Sequence, residues 1–339
     1  MQAHRHPQEK FRRVSRARPC PICGRSDWCG YNSYLASCMR VAEGSFKSIQ
    51  LSNGQIAYLH WLTQPDHAAE NTQSRETNQA TEQKTDLASV ETRDRVYKDF
   101  LSLLGLYPQH RQVLLRRGLS ESEIQVAGYK STPQQAPWQI CQRLIERGHN
   151  LKGIPGFYQK TGPRGVRYWT FDGRSGYFIP IRDQHGRIQA LQRRMDDTTA
   201  GKYRLFSGHT DHGGCSCGTP AHIARPSRLQ DHRIWITEGP LKADIAAGHL
   251  GAVVIGALSA QSWQPVLTAV MQLNAKEIVL AYDQDWKTNL RVYQAMATLR
   301  KELKKAGLAV NMANWDRQHK GIDDALVAGV AIRVTATRV

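Results

Sequence analysis

The sequence predicts an α/β protein built on a doubly wound parallel sheet, and three features of its last third carry that expectation. Residues 234–237, 252–257 and 278–282 are short, unbroken apolar runs separated by helix-length segments, the pattern of buried parallel strands. The first run ends on Glu238, directly before a Gly-Pro turn, and the third ends on Asp283, with Asp285 two residues on. In an open α/β sheet the C-terminal strand ends share one edge, and ligands bind there. Carboxylates converging from two strands need a cation. Hard oxygen donors with room for water suit Mg²⁺ or Mn²⁺.

Composition narrows the class. A chain of 339 residues is long enough for two or three domains. Lys and Arg number 46 against 29 acids, a net charge of +17, which favours a polyanionic partner, most simply nucleic acid. No apolar run approaches the length of a membrane span, and no basic amphipathic helix offers a membrane-facing side. The N-terminal residues lack the apolar stretch of a secretory signal. Seven cysteines, four of them clustered, fit a reducing cytoplasm and bound zinc better than a disulfide framework.

From the start, Arg5, Lys10, Arg12, Arg13, Arg16 and Arg18 stand against the single acid Glu9, which reads as a disordered solubilising arm or as one that tracks phosphates. Cys20-Pro-Ile-Cys23 is the knuckle of a zinc ribbon, and Cys29 and Cys38 complete a four-sulfur set. His60 is the substitute ligand should Cys29 face away. A four-ligand ion is structural, and so small a module, residues 1–63, needs it to fold. Phe46, Tyr58 and Trp61 read as its core. Residues 64–92 are polar and without period, which predicts a flexible linker. Residues 93–150 read as a helical subdomain without chemistry, with Val96, Phe100, Leu103 and Leu104 on one stripe and a capping box at Ser120–Glu123.

Short strands and tight turns fill 151–230, including a hairpin around Asp183–Gly186. His209, His212, Cys215, Cys217 and His222 then gather in a Gly/Ser/Pro-rich stretch. Cys-x-Cys is a strained spacing for tetrahedral zinc, so the stretch reads as a loop rather than a second metal site. In the last domain, 231–339, Lys242 lies one turn into the helix after Glu238, available to a phosphate or to solvent.

The glutamate after the first strand and the Asp-x-Asp after the third resemble the TOPRIM domain of DnaG-type primases, topoisomerases and some nucleases. Lys320-Gly-Ile-Asp323-Asp324 resembles the late Lys-x-x-Asp-[Asp/Glu] element of the primases. Phe178-Ile-Pro-Ile181, Asp183, Gly186-Arg187, Arg193 and Lys202-Tyr203 resemble the primase stretch that precedes TOPRIM. One departure is Leu191-Gln192, where the family has glycines.

The resemblance implies a DNA primase of the shortened type found in plasmids, phages and integrative elements. Single-stranded DNA would be its template, NTPs its substrates, and a separately encoded replicative helicase a partner. Glu238, Asp283 and Asp285, with Asp323, would hold the Mg²⁺ or Mn²⁺ ions of a two-metal phosphoryl transfer. Arg193 and Lys202, with neighbours Arg194 and Arg204, would contact phosphates or template, and Zn²⁺ would be structural. A TOPRIM nuclease would use the same acids, and a non-catalytic single-stranded DNA-binding adaptor would keep them only as a relic.

Overall fold

The computed structural model describes residues 12–33, 35–45, 47–50, 56–62, 86–163, 165–199, 201–208, 212–259 and 261–336. The chain divides into two compact units, Met1–Gln79 and Ala80–Val339. Most of the segment expected to be a linker, and the residues Phe46 and His209, lie outside the described residues.

The first unit is an antiparallel sheet of β1 (Arg12–Arg13), β2 (Gly30–Tyr31), β3 (Leu35–Cys38), β4 (Lys47–Gln50) and β5 (Ile56–Trp61), in the order β1-β2-β3-β5-β4. Its buried cluster consists of Cys20, Cys29 and Cys38, with Val14, Ile22, Cys23, Met39 and Val41 packed around them. Thiols thus stand where a larger domain has aliphatic side chains. Trp61, expected in this core, is instead 47% exposed, because it ends an outer face of β5.

The second unit opens with four helices, α1 (Val90–Ser102), α2 (Pro108–Arg116), α3 (Glu121–Ala127) and α4 (Pro137–Glu146), with β6 (Lys130–Ser131) between the last two. Helix α1 starts earlier than its apolar stripe suggests, because the Ser89 hydroxyl caps it by accepting from the Thr92 N–H at 3.3 Å. The capping box at Ser120 forms as expected, and α3 closes on Gly128 at φ 78°.

Strands β7 (Phe157–Thr161) and β8 (Arg167–Phe171) make a hairpin, and β9 (Gly176–Arg182), β10 (Ile188–Met195) and β11 (Tyr203–Leu205) join β6 in an antiparallel sheet ordered β11-β10-β9-β6. The helices share a core with these strands. Phe100 of α1 meets Phe157, Phe171 and Phe178 edge-on at 5.3–5.4 Å and stacks on Phe206 at 5.7 Å.

A six-stranded sheet follows, made of β12 (His222–Ala224), β13 (Asp231–Glu238), β14 (Ala252–Ala257), β15 (Glu277–Leu280), β16 (Ala309–Asn314) and β17 (Arg333–Ala336). Its order is β12-β14-β13-β15-β16-β17. The four central strands are parallel and the two outer ones antiparallel. Helices α5 (Pro240–Leu250), α6 (Trp263–Gln272), α7 (Leu290–Lys305) and α8 (Ile322–Val327) cover both faces.

Strand residues alternate between the two layers. Ile234 and Ile236 pack with α6 and α7, whereas Trp235 packs with α5 and α8. The chain order reverses direction at β13, so the crevice between the ends of β13 and β15 is the topological switch point. No described helix is long and apolar enough to cross a membrane.

Phe100→Ala would empty the centre of the five-ring cluster. The expected loss is about 3–5 kcal/mol of unfolding free energy, read from the urea midpoint at unchanged slope.

Candidate active site and metal centre

The switch point is shaped by local backbone chemistry. After Glu238 the chain turns through Gly239 at φ 85°, a conformation that favours glycine, and Pro240 then starts α5. The Gly239 N–H donates to the Ala257 carbonyl at 2.6 Å. A Cβ on Gly256 would lie 2.8 Å from the Gly239 carbonyl, so β14 presses directly against the turn. One turn into α5, Lys242 points back to the sheet edge.

On the neighbouring strand the Ala281 N–H donates to the Ile236 carbonyl at 2.8 Å, and Asp283 emerges beyond it. A 3₁₀ turn, Gln284–Lys287, follows, with the Trp286 N–H donating to the Asp283 carbonyl at 3.1 Å. Asp285 lies in that turn, and its side chain is outside the described residues. The Gln284 N–H donates to the Lys320 carbonyl at 2.9 Å, which brings the start of α8, with Asp323, to the same edge. Asn289 caps α7, its side-chain oxygen accepting from the Val292 N–H at 3.5 Å.

These acids do not meet as a bare carboxylate cluster. Asp283 is 5% exposed and Asp323 only 1%, and each already has a cation from the protein. Lys242 Nζ donates to both oxygens of Asp283, and Lys320 Nζ stands 3.9 Å from one of them. Arg117 Nη2 donates to Asp323 Oδ2. Burial opposes the charge on Arg117, but Asp323 outweighs it and raises the guanidinium pKa. Arg117 caps the end of α2, in a segment whose sequence signalled no chemistry.

Metal chemistry nevertheless fits the donors. Asp323 Oδ1 is buried without a hydrogen-bond partner, and Glu238 Oε1 is sealed from solvent. Gly321 leaves open the space beside Asp323 Oδ1. A Cβ there would lie 2.3 Å from Asp323 Oδ1, 3.3 Å from Lys242 Nζ and 3.5 Å from Asp283 Oδ1. The cradle therefore offers hard oxygens of the kind that Mg²⁺ and Mn²⁺ prefer.

The basic side is β10 and β11. Arg194 and Lys202 lie 5.7 Å and 5.6 Å from the centre of the Tyr203 ring. Lys202 has its pKa lowered, first by burial and then by Arg194, Arg117 and Lys242, so these four cations crowd one region. Arg204 pairs across the ladder from Arg193.

Arg193 itself corrects the expectation of a phosphate contact. It is 3% exposed, lies over the Phe178 ring at 5.8 Å, and donates to Asp172 Oδ2 at 2.7 Å and to the Arg174 carbonyl at 3.1 Å. On its face of β10 the guanidinium bonds Asp172 and Arg174, so it locks the turn after β8 instead of facing a ligand.

In the first unit the four thiols do converge. The sulfurs of Cys20, Cys23, Cys29 and Cys38 lie within 4.8 Å of one another, the single such donor group among the described residues. Cys23 Sγ and Cys29 Sγ are 3.7 Å apart. Tetrahedral zinc with bonds of about 2.3 Å sets its sulfurs about 3.8 Å apart. The N–H groups of Met39 and Val41 donate to Cys29 Sγ and Cys38 Sγ, each at 3.4 Å. Burial pushes the Cys29 thiol up to about 12, so a cation is needed to hold it as thiolate at neutral pH. His60 is no substitute ligand, because its Nε2 is hydrogen-bonded to the Val41 carbonyl at 2.9 Å.

His212, Cys215, Cys217 and His222 form no comparable group among the described residues. His222 is engaged on both ring nitrogens. Nδ1 accepts from the Arg182 N–H at 3.0 Å, which leaves Nε2–H to donate to Asp244 at 2.9 Å. Tyr129 also donates its hydroxyl to Asp244.

With this geometry in place, the known structures can be compared. Overall the chain is similar to the RNA polymerase domain of Mycobacterium tuberculosis primase DnaG, at 14% identity over 71% of this chain and 83% of that one, with a TM-score of 0.50. The fold is that of a DnaG-type primase core. The zinc-binding and RNA polymerase domains of Aquifex aeolicus primase match at 14% identity and a TM-score of 0.49, over 73% of this chain and 63% of that one. This chain thus spans under two thirds of that relative. A DnaG primase catalytic domain bound to ssDNA matches at 18% identity and a TM-score of 0.46, over 70% and 75% of the two chains. Residues 228–332 match a domain of unknown function, DUF3854. No curated protein matches the sequence.

Two outcomes are expected from the groups around this fold. Burial alone would raise the Asp172 carboxyl, but Arg174 and Arg193 bring it down to about 2, against about 3.9 unfolded. A folded value below the unfolded one gives stability that is complete above pH about 4 and lost as pH falls towards about 2. Asp172→Asn should cost about 1–2 kcal/mol at pH 7, with the difference from wild type closing in urea titrations near pH 2. For the thiols, chelating zinc or substituting Cys20→Ser should unfold the first unit. Structural zinc contributes about 10 kcal/mol or more to such a module. Proteolysis should then cut within residues 12–62 while the second unit resists.

Proposed function

We propose that the chain is a TOPRIM-type DNA primase of a mobile element, making short RNA primers on single-stranded DNA from NTPs. The observation that carries this reading is the apposition, on a primase fold, of a carboxylate edge and a cationic side. Glu238, Asp283 and Asp323 lie on one, and Arg117, Arg194, Lys202 and Lys242 on the other. Phosphoryl transfer needs charge neutralised and reactants held in line, and such an apposition supplies both.

In this reading Glu238, Asp283, Asp285 and Asp323 hold Mg²⁺ or Mn²⁺, which when bound neutralises triphosphate charge and lowers the barrier to attack by a 3′-hydroxyl. Arg194 and Lys202 hold template or nucleotide phosphates, and the Tyr203 ring between them fixes their direction. Arg117 holds Asp323 aimed at the cradle. Arg193 acts at one remove, by holding the β8–β9 turn. The zinc ribbon, with Arg12, Arg13, Arg16 and Arg18 before it, contributes single-strand binding where synthesis starts. The net charge of +17 supplies the long-range attraction for the strand.

The test is primer synthesis on single-stranded DNA with labelled NTPs and Mn²⁺ or Mg²⁺, using wild type, Asp283→Asn and Cys20→Ser. Short labelled products from wild type, lost in Asp283→Asn by at least about a hundredfold, are the expected result. Shortening of a labelled template that depends on Asp283 would replace the primase with a nuclease. Binding of DNA without either reaction would leave an adaptor.

A further inference from the structure

Paired-metal sites place two ions about one set of shared carboxylates, so that both the attacking and the leaving oxygen are clamped. Asp283 is the carboxylate best placed to be shared here, at the end of the strand beside the switch point. Its two oxygens are both bonded to Lys242 Nζ. An ammonium at bonding distance from both oxygens takes the chelating position that one metal ion would use.

Three features keep it there. Lys242 sits in the first turn of α5, behind the Gly239-Pro240 turn that β14 braces. Its side chain is 23% exposed, so much of its stem is covered by protein. Lys202 feels the charges of Arg194, Arg117 and Lys242, so the surroundings of the ammonium are already crowded with cations. The glycine at position 321 accommodates it, with the place of a Cβ only 3.3 Å from Nζ.

The charge balance points the same way. Asp283 already has Lys242 bonded to both oxygens and Lys320 at 3.9 Å, so the carboxylate that two ions would share is neutralised by the protein itself. Asp323 is bonded to Arg117 through Oδ2, and its buried, unpartnered Oδ1 is the oxygen left for an ion.

We propose that Lys242 is a built-in cation standing in for one of the two metal ions of a paired-metal site, so that this chain binds a single divalent ion at the switch point. The inference rests on the metal-dependent reading above. Lys242 is here a positioning residue for the acids, and its ammonium offers the fixed charge that a second ion would otherwise bring.

Full-length, zinc-loaded protein titrated with Mn²⁺, with free Mn²⁺ followed by electron paramagnetic resonance, tests it without any turnover. Wild type should bind one Mn²⁺ that disappears in Asp283→Asn, and Lys242→Met, which keeps the stem and drops the charge, should bind two. Thermal melting guards against misfolding of the variant. Lys242→Met should melt below wild type in chelator and be raised further than wild type by Mn²⁺, because the ion then replaces the missing charge. Two Asp283-dependent ions in wild type would overturn the proposal, as would a Lys242→Met protein with wild-type stoichiometry or with no larger rise in melting. Absence of any Asp283-dependent ion in all proteins would overturn the metal reading of the site along with it.

Discussion

Two buried carboxylates at the end of a parallel sheet impose the constraint that organises the second unit. Asp283 and Asp323 are almost fully covered, and an ionised carboxylate removed from water costs several kcal/mol unless a partner repays it. The partners come from elements far apart in the chain. Lys242 is supplied by the helix after β13, and Arg117 by a helix end that precedes the sheet by more than a hundred residues. Seating α2 and α3 against the sheet helices requires small residues at the contact. Gly118 has φ 94° and no room for a Cβ beside Val327, and a Cβ on Gly248 would strike Glu123.

The same helices are pinned to the basic strands by buried polar groups. Ser131 Oγ accepts from the Tyr107 N–H at 2.8 Å and, with His110 Nε2–H turned to a carboxylate, gives its own hydrogen to Nδ1, 2.7 Å away. Nε2–H of His110 then donates to Asp196 at 3.0 Å, just beyond β10. The residues spell a Ser-His-Asp set, but Ser131 is 1% exposed and its oxygen is occupied by the Tyr107 N–H, so it is closed to a ligand. The set ties α2 to the end of β10. His222 ties β9 to α5 through Asp244, so carboxylate edge and cationic side are held in one register. A site whose rate depends on alignment needs that rigidity.

Much of this was legible in the sequence, and the limits have physical causes. The central strands are short apolar runs because they are covered on both faces, and turn residues punctuate them. That signal is local, and the acids stand out because they sit where an apolar run stops. The four thiols were legible for the same reason, since a metal knuckle is a local spacing. Arg117 was not, because a basic residue at a helix C-terminus is what the helix dipole favours anyway. Nothing local separates it from Arg116 or Arg111. Its role comes from a partner 206 residues away.

Arg193 fails in the opposite direction. Beside Arg194 in a polar stretch, Gln192-Arg193-Arg194, it reads as solvated or ligand-facing. Strand periodicity would send Arg193 and Arg194 to opposite faces, and it does. Arg194 reaches Tyr203 and the cations near the acids, while Arg193 is buried over Phe178 against Asp172. Which of two adjacent arginines meets water is decided by the layers on either side of β10, and those are set by α1 and the β7–β8 hairpin rather than by any neighbour in sequence. Charge in a sequence therefore locates a functional region, but the pairing that burial enforces decides which charges remain available to a ligand. At this site burial assigns Lys242, Arg117 and Arg193 to the protein's own acids, and leaves Arg194 and Lys202 facing outward.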